Sequence, residues 1–316
     1  MRNKKSGKLL RLLLGFTLLS SLPACGTAEK EETPAPTPIP SEPAETPIPF
    51  DAIPVVPYHM EVRSFTYQDH SVYAEAFIPD NGMDSHPAVI LCHGMGNNHG
   101  SVNHFAMTFA ERGYFTFTFD FCGGCEDCES SGTLLDMSIL TEAEDLDAVI
   151  DHVKAMPEVN SGYLFLLGQS QGGVVASIEA SRRRDEIAGL ILMYPAYNVQ
   201  DLTKEMFPDP EKIPAAGEIY DQTVSRKYFL DALSVDFPSV MKSYDKEVLI
   251  LHGSEDTTVP LSYSKTAAET FPSADLTVVS GAGHGFDLPD APLVDGKCMS
   301  YLLAHTPEEL AIAEKQ

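Results

Sequence analysis

From Tyr58 onward the chain alternates continuous apolar runs with segments in which apolar residues recur every three or four positions. "VRSFTY" and "VYAEAFI" alternate in the manner of strands, and "QDHS" between them reads as a turn, which predicts a short antiparallel pair. "AVILC" (88–92) is apolar throughout, as expected of a strand covered on both faces. Residues 102–112 place Val102, Phe105, Ala106, Phe109 and Ala110 on one helical face, with Gly113 as the stop. "YFTFTFD" (114–120) reads as the next strand. Residues 140–153 carry Leu140, Ala143, Leu146, Val149, Ile150 and Val153 at helical spacing, with Thr141 and Glu144 as a capping box. "YLFLLG", "AGLILMY", "EVLILHG" and "DLTVVSG" predict four more buried strands. Such βα alternation implies an α/β fold built on a doubly wound, mostly parallel sheet. Residues 197–243 break the rhythm. They are too long for a plain connection and read as a small lid beside the C-terminal edge of the sheet.

The segment before Tyr58 has a different character. "MRNKKSGK" is basic, "LLRLLLGFTLLSS" is apolar, and "LPAC" ends in Cys25. The apolar stretch is short for a membrane span, so residues 1–24 read as a lipoprotein signal peptide, with Cys25 as the lipidated residue. An uncleaved anchor or an ordinary signal peptide is the alternative. Residues 25–57 are rich in Pro, Thr and Glu and offer little to bury, so they read as a disordered tether. The expected localisation is a bacterial cell membrane, lipid-anchored on its extracytoplasmic side, with residues 58–316 as the folded domain. Net charge is −25, and the first 24 residues hold five of the 21 Lys and Arg and no acid. The remainder is thus still more acidic and repels phosphate backbones, which argues against nucleic acid as a partner.

"LLGQSQGGVV" (166–175) places Ser170 between two glycines, after a strand and before a helix. That is the context of a nucleophile elbow, in which a tight turn exposes the serine hydroxyl. An acyl-transfer site also needs a base and a group to orient it. "LILHGSEDTTVP" puts Asp256 just past a strand end, and "VVSGAGHGF" puts His284 in a Gly-rich loop after the last strand. The order Ser, Asp, His is the one this fold expects. Glu255 is the competing acid. "LCHGMGNN" supplies backbone donors for an oxyanion, with the Met95 N–H expected to pair with that of Gln171. His93 reads as a residue that shapes this turn rather than as a base.

These motifs together resemble the α/β-hydrolase fold, and within it the cinnamoyl/feruloyl-esterase-like serine esterases of the serine aminopeptidase-like hydrolase group. The resemblance rests on "LCHGMGNN", "FTFDFCGGCEDCESSG", "LLGQSQGGVVA", "LILHGSEDTTVP" and "GAGHGF", and it covers nearly the whole folded part. It implies Ser170 as nucleophile, Asp256 as acid, His284 as base, Met95 and Gln171 as oxyanion donors, and a small insertion over the acyl pocket. It also favours Asp256 over Glu255. Two positions depart from the pattern. Gln169 stands where many members have His, and "CGGCEDCESSG" replaces a turn of small residues beside the site.

Cys92 falls in a strand and reads as a packed thiol. Cys122, Cys125 and Cys128 form C-x-x-C-x-x-C. In an exported domain this favours one disulfide over free thiols, with metal ligation third because the nearby sequence offers no fourth ligand. Cys298 is an unsupported partner. No phosphate loop or dinucleotide fingerprint is present, and neither metal nor cofactor is expected. The sequence therefore predicts a serine hydrolase acting on a small-molecule ester, with no feature that specifies an oligomeric state. The rivals are a serine aminopeptidase, in which Glu126, Asp127 or Glu129 would hold a peptide amine, and an inactive surface-binding protein. Phe207, Tyr220, Tyr228 and Phe229 are candidates either to line the pocket or to pack the lid.

Overall fold

The computed structural model of the protein describes residues 50–287 and 290–311. The basic leader, Cys25 and most of the Pro-rich tether lie outside the described residues. The N-terminal part contains β1 (Tyr58–Val62), β2 (Phe65–Tyr67), β3 (His70–Val72), β4 (Ala74–Pro79) and β5 (His86–Cys92). Next come α1 (Asn103–Ala110), β6 (Phe115–Phe119), α2 (Ile139–Lys154), β7 (Val159–Gln169), α3 (Gln171–Arg182) and β8 (Ile187–Met193). The insertion holds α4 (Val199–Met206), β9 (Ala216–Ile219), β10 (Gln222–Ser225), α5 (Arg226–Ser234) and α6 (Phe237–Ser243). The chain then continues through β11 (Val248–Gly253), α7 (Leu261–Thr270), β12 (Ala274–Val279) and α8 (Ala291–Ala304).

Eight strands form one sheet in the order β1-β4-β6-β5-β7-β8-β11-β12. Only β4 runs against the others, pairing antiparallel with β1 and β6. The doubly wound, mostly parallel sheet expected from the βα alternation is therefore present. The predicted N-terminal pair is split. β2 and β3 form a separate hairpin that turns at Gln68 and Asp69, whereas β4 pairs with β1 in the main sheet.

The pleat of the central strands explains why they read as unbroken apolar runs. Alternate residues of β5 enter opposite cores: Ala88, Ile90 and Cys92 face α2, α3 and the insertion, whereas Val89 and Leu91 face α1 and α8. All five are fully buried. Each large apolar side chain buried in this way contributes about 1.5–3 kcal/mol relative to exposure. The expectation of burial fails for β12. It is an edge strand with β11 as its one neighbour, and Val278 is 41% exposed.

α1 buries Phe105, Ala106, Phe109 and Ala110, the face its spacing predicts, and Gly113 follows at φ 90°. α2 begins within one residue of the span its apolar spacing marks, but its N-cap is Ser138, in extended conformation, one turn before the expected Thr141. The capping box therefore links Ser138 and Thr141, not Thr141 and Glu144. The Thr141 N–H donates to Ser138 Oγ at 3.2 Å and the Ser138 N–H to Thr141 Oγ1 at 2.7 Å.

The helical face of the core also holds ionisable groups. Glu179 on α3 has a buried side chain; Arg182 donates to its Oε1 at 2.6 Å, and Oε2 has no partner among the described residues. Burial pushes its carboxyl from 4.5 up to about 7, against the opposing pull of Arg182. The folded state thus keeps a proton that the unfolded chain releases. Stability from that proton is full below about pH 4.5 and lost as pH rises through about 7. Relative to Glu179→Gln, the wild-type urea midpoint is expected to fall between about pH 5 and about pH 8. Parallel midpoints across that range would contradict the assignment.

Candidate active site

Parallel β5 and β7 end side by side, with Cys92 paired to Gly168. The chain turns sharply after Gln169 and enters α3 at Gln171. Ser170 occupies this turn at φ 50° and ψ −116°, a conformation that costs a non-glycine residue of order 1–3 kcal/mol. Backbone bonds hold it there. Its N–H donates to Met193 O at 2.9 Å, and its carbonyl accepts from the N–H groups of Gly173 and Ala196. The flanking glycines are steric necessities. A Cβ on Gly168 would lie 2.3 Å from Gly172 O, and one on Gly172 would lie 2.3 Å from His93 O.

His284 follows β12 in a loop where Gly281 and Gly285 both take positive φ. Its Nε2 lies 3.0 Å from Ser170 Oγ, and its Nδ1 lies 2.7 Å from Asp256 Oδ2. With the Nδ1 proton directed at the carboxylate, Nε2 is free to accept from the serine hydroxyl. Ser170, Asp256 and His284, which lie far apart in sequence, are thus joined by one line of hydrogen bonds. Glu255, the competing acid, is exposed, and its backbone N–H bonds to Ala282 O.

Asp256 is buried but well supplied with donors. The N–H groups of Thr258 and Val259 donate to Oδ1 at 2.9 and 2.8 Å. His252 Nε2 approaches Oδ2 at 3.2 Å, and the same atom lies 2.8 Å from Val259 O. Burial alone would raise the carboxyl, but the bonds from His252, His284 and Val259 outweigh it and hold Asp256 below the usual carboxylate range. His252 was not singled out from sequence. It stands in "LILHGSED" four residues before Asp256, and Ser264 Oγ lies 2.7 Å from its Nδ1. That spacing was its one available signal.

Met95 lies beside the elbow on a tight loop, where Asn97 N–H donates to Gly94 O and Gly96 N–H donates to Gly124 O. The N–H groups of Met95 and Gln171 take no hydrogen-bond acceptor among the described residues. Gln171 opens α3, whose N-terminal end favours negative charge. His93 does what its sequence position suggests. It is buried, its Nδ1 donates to Gly94 O at 2.8 Å, and its Nε2 accepts the Phe121 N–H at 3.0 Å. Gln169 Nε2 rests 3.9 Å from Met193 Sδ.

A pocket of about 350 Å³ opens over Ser170 and His284. Tyr194, Tyr220, Asp221, Asn97 and Thr258 help to line it. Tyr194 also escaped the sequence reading. It follows β8 at φ 40°, and its ring meets the His284 imidazole edge-on at 4.7 Å. Of the four insertion aromatics, Tyr220 reaches the pocket. Phe207 and Phe229 pack edge-on against each other at 5.0 Å, and Tyr228 is fully buried.

Cys125 and Cys128 form a disulfide, while Cys92, Cys122 and Cys298 are buried free thiols. Cys298, on α8, is thus not a partner of the loop cysteines. Among the described residues, His93, Asp120 and Cys128 come close enough together to suggest a metal. Each is already engaged: His93 Nε2 by the Phe121 N–H, Asp120 by the His99 and Glu129 N–H groups, and Cys128 by its disulfide.

The sheet, the serine at the β7–α3 turn, and the acid and histidine on later loops define an α/β hydrolase. Residues 84–246, just over half of the chain, match the family model described as serine aminopeptidase, S33 (Hydrolase_4), and the chain belongs to that family. Residues 233–310 match a model described as TAP-like protein. A monoacylglycerol lipase of Mycolicibacterium smegmatis is 23% identical over 273 residues, covering 73% of this chain and 92% of that protein. The uncharacterized protein YfhR of Escherichia coli O157:H7 is 25% identical over 213 residues, covering 66% of this chain and 67% of its own. Among solved structures, Est1E from Butyrivibrio proteoclasticus with ferulic acid bound superimposes with a TM-score of 0.70 at 23% identity, over 77% of this chain and 99% of that one.

Gly172→Ala tests the steric basis of the elbow. The added Cβ would meet the carbonyls of His93 and Cys92 at 2.3 and 2.6 Å, both of them backbone atoms that have little room to yield. A loss of about 3 kcal/mol in urea unfolding is expected, with active-site labelling lost alongside. Wild-type stability in Gly172→Ala would refute the packing described.

Proposed function

We propose that the protein is a serine carboxylic ester hydrolase that works through an acyl-enzyme intermediate. The observation that carries this reading is the hydrogen-bonded line from Ser170 Oγ through His284 to Asp256. Ser170 Oγ attacks the acyl carbon as His284 Nε2 takes its proton. Asp256 keeps the imidazole in the required tautomer and stabilises the imidazolium. The Met95 and Gln171 N–H groups receive the oxyanion. His284 then protonates the leaving alcohol, and water repeats the cycle to free the acid and regenerate the serine.

An ester substrate is supported by the monoacylglycerol lipase among the relatives and by the ferulic acid held in the Est1E structure. The pocket volume of about 350 Å³ suits an acyl group of modest size. One feature favours a peptidase as the second reading. Asp221 lines the pocket, and Glu126 and Asp127 line a smaller pocket that shares Asn97 with it, so an ammonium group would find acids nearby.

The full chain, solubilised in detergent, is expected to hydrolyse p-nitrophenyl acetate or butyrate and to be labelled by a fluorophosphonate. Ser170→Ala should abolish labelling and lower kcat by about 10⁴ or more, and Asp256→Asn by about 10⁴. Equal inertness of wild type and Ser170→Ala toward both reagents would sink the enzyme reading in favour of a binding protein. Acetyl, butyryl, feruloyl and aminoacyl substrates compared by kcat/KM separate esterase from peptidase.

We further infer that Cys25 carries lipid and tethers the domain outside a bacterial membrane. The basic and apolar leader before it supports this, and the Cys125–Cys128 disulfide suits an oxidising compartment. Among the described residues, no helix is long and apolar enough to cross a membrane. An alkyne fatty acid fed to expressing cells should label the wild type and not Cys25→Ala. Equal labelling of both would exclude this anchor.

A further inference from the structure

Beneath the proposed oxyanion site lies a buried polar chain that the mechanism above does not use. Gln171, whose backbone N–H is the proposed donor, points its side chain into the core and is 2% exposed. Its amide is gripped at both ends. Tyr228 of α5 donates its hydroxyl to Gln171 Oε1 at 2.7 Å, and Gln171 Nε2 donates to Glu142 Oε2 of α2 at 2.8 Å. Glu142 and Tyr228 are themselves 1% and 0% exposed. Three polar side chains from three helices therefore converge in an otherwise apolar core.

We propose that Glu142 is a positioning residue for the oxyanion donor, a neutral carboxylic acid that clamps the Gln171 side chain while Tyr228 holds it from the insertion. This rests on the reading of Gln171 as an oxyanion donor. A long side chain in the first turn of a helix has several rotamers, and which of them is allowed depends on the backbone φ/ψ, so side chain and backbone are coupled. Hydrogen bonds at both ends of the amide select one rotamer. Oxyanion stabilisation depends on such preorganisation, because a donor that must move at the moment of reaction contributes less.

Neutrality is the second half of the proposal. Among the described residues, the groups that face Glu142 carry no positive charge. They are Gln171 on α3, Tyr228 on α5, Cys92 on β5, Cys122 after β6, and Asp145 on its own helix, while Met137 Sδ lies 3.5 Å from the same Gln171 Nε2. Its Oε1 has no partner among the described residues, which makes it the site of the proton. Burial pushes the carboxyl from 4.5 up to about 8, against the Gln171 bond that favours ionisation. The nearby Asp145, which burial raises to about 6, adds to the cost of ionising it. Below about pH 8 Glu142 itself is uncharged. Above it, a negative charge one side chain away opposes the oxyanion and pulls on the amide that positions its donor. The native pKa is raised, so the neutral form is lost as pH rises, and kcat falls on the alkaline side.

The test compares the detergent-solubilised full chain with Glu142→Gln, Glu142→Leu and Tyr228→Phe on p-nitrophenyl butyrate from about pH 6 to about pH 10. Rates are normalised to the fraction labelled by a fluorophosphonate. Glu142→Leu should lose about tenfold in kcat with KM unchanged, and Tyr228→Phe somewhat less. Glu142→Gln, which keeps an acceptor for Gln171 but cannot ionise, should recover most of that loss and lack the decline above about pH 8. An alkaline decline retained in Glu142→Gln, or wild-type kcat in Glu142→Leu, overturns the proposal. If Glu142→Leu does not fold, the other two variants decide. Infrared difference spectra supply a readout that needs no turnover. A protonated-carboxyl band at neutral pH, lost in Glu142→Gln, supports the neutral acid, and its absence refutes it. A wild type that hydrolyses no ester would therefore fell the functional reading while leaving Glu142 decided by its spectrum.

Discussion

The close approach of the β7–α3 turn to the end of β5 is the constraint on which the rest of the site depends. Gly172 sits against the carbonyls of Cys92 and His93 with no room for a methyl group. That contact forces Ser170 into its strained turn and also brings the Gly94–Met95 loop alongside it. A Cβ on Gly94 would lie 3.2 Å from the Ser170 Cβ. Exposed hydroxyl and neighbouring backbone donors therefore arise from one packing event, not from two separately placed features. Parallel pairing makes this natural, since β5 and β7 end at the same level and deliver their following residues to the same edge of the sheet.

Electrostatics then sort buried acids by the number of donors each receives. Asp256 has two backbone N–H groups and two imidazoles around it, and it is held ionised despite burial. Glu142 has the Gln171 amide and, among the described residues, no cation, and burial raises it to about 8, so it is neutral at lower pH. Glu179 falls between, with Arg182 reaching one oxygen only. The same residue class thus takes opposite charge states a few elements apart, because desolvation is common to all of them and compensation is not.

What the sequence made legible follows from how far each signal reaches along the chain. The central strands were readable because a two-sided sheet turns burial into unbroken apolar runs. β12 misled for the same reason: its run is apolar, yet its place at the edge is set by topology. The capping box slid by one turn because apolar spacing marks the buried face of α2, whereas its start is fixed by Ser138. Ser170, Asp256 and His284 were named because each follows a strand end and belongs to a short motif. Tyr194 carries no such motif of its own, and His252 shares its motif with Asp256, which drew the reading. Tyr194 matters through a positive φ and a ring against His284, and His252 through a second contact to the acid. Both contacts are properties of the assembled strand ends; the four-residue spacing of His252 from Asp256 hints at one of them and nothing in the sequence marks the other. The pairing of Cys125 with Cys128 was one choice among several, and Cys122, at the same spacing from Cys125, is instead buried as a free thiol.

The insertion is the element least legible from sequence, and its role differs from that of a loosely hinged cover. Tyr220, which lines the pocket, donates its hydroxyl to Asn198 Oδ1 at 2.8 Å. Asn198 Nδ2 in turn donates to Thr258 O, and the Thr258 N–H donates to Asp256. On the other side, Tyr228 reaches Gln171. Two tyrosines of one insertion thus connect the pocket roof to the proposed acid and to the proposed oxyanion donor. The hydroxyls are directional, and both Asn198 and Gln171 use their amides at both ends, so the connections constrain orientation as well as distance. A roof tied down in this way leaves the pocket preformed. The residues that line the pocket are thus tied by hydrogen bonds to the residues of the proposed machinery, so in the proposed esterase a change in the packing of this insertion alters both together.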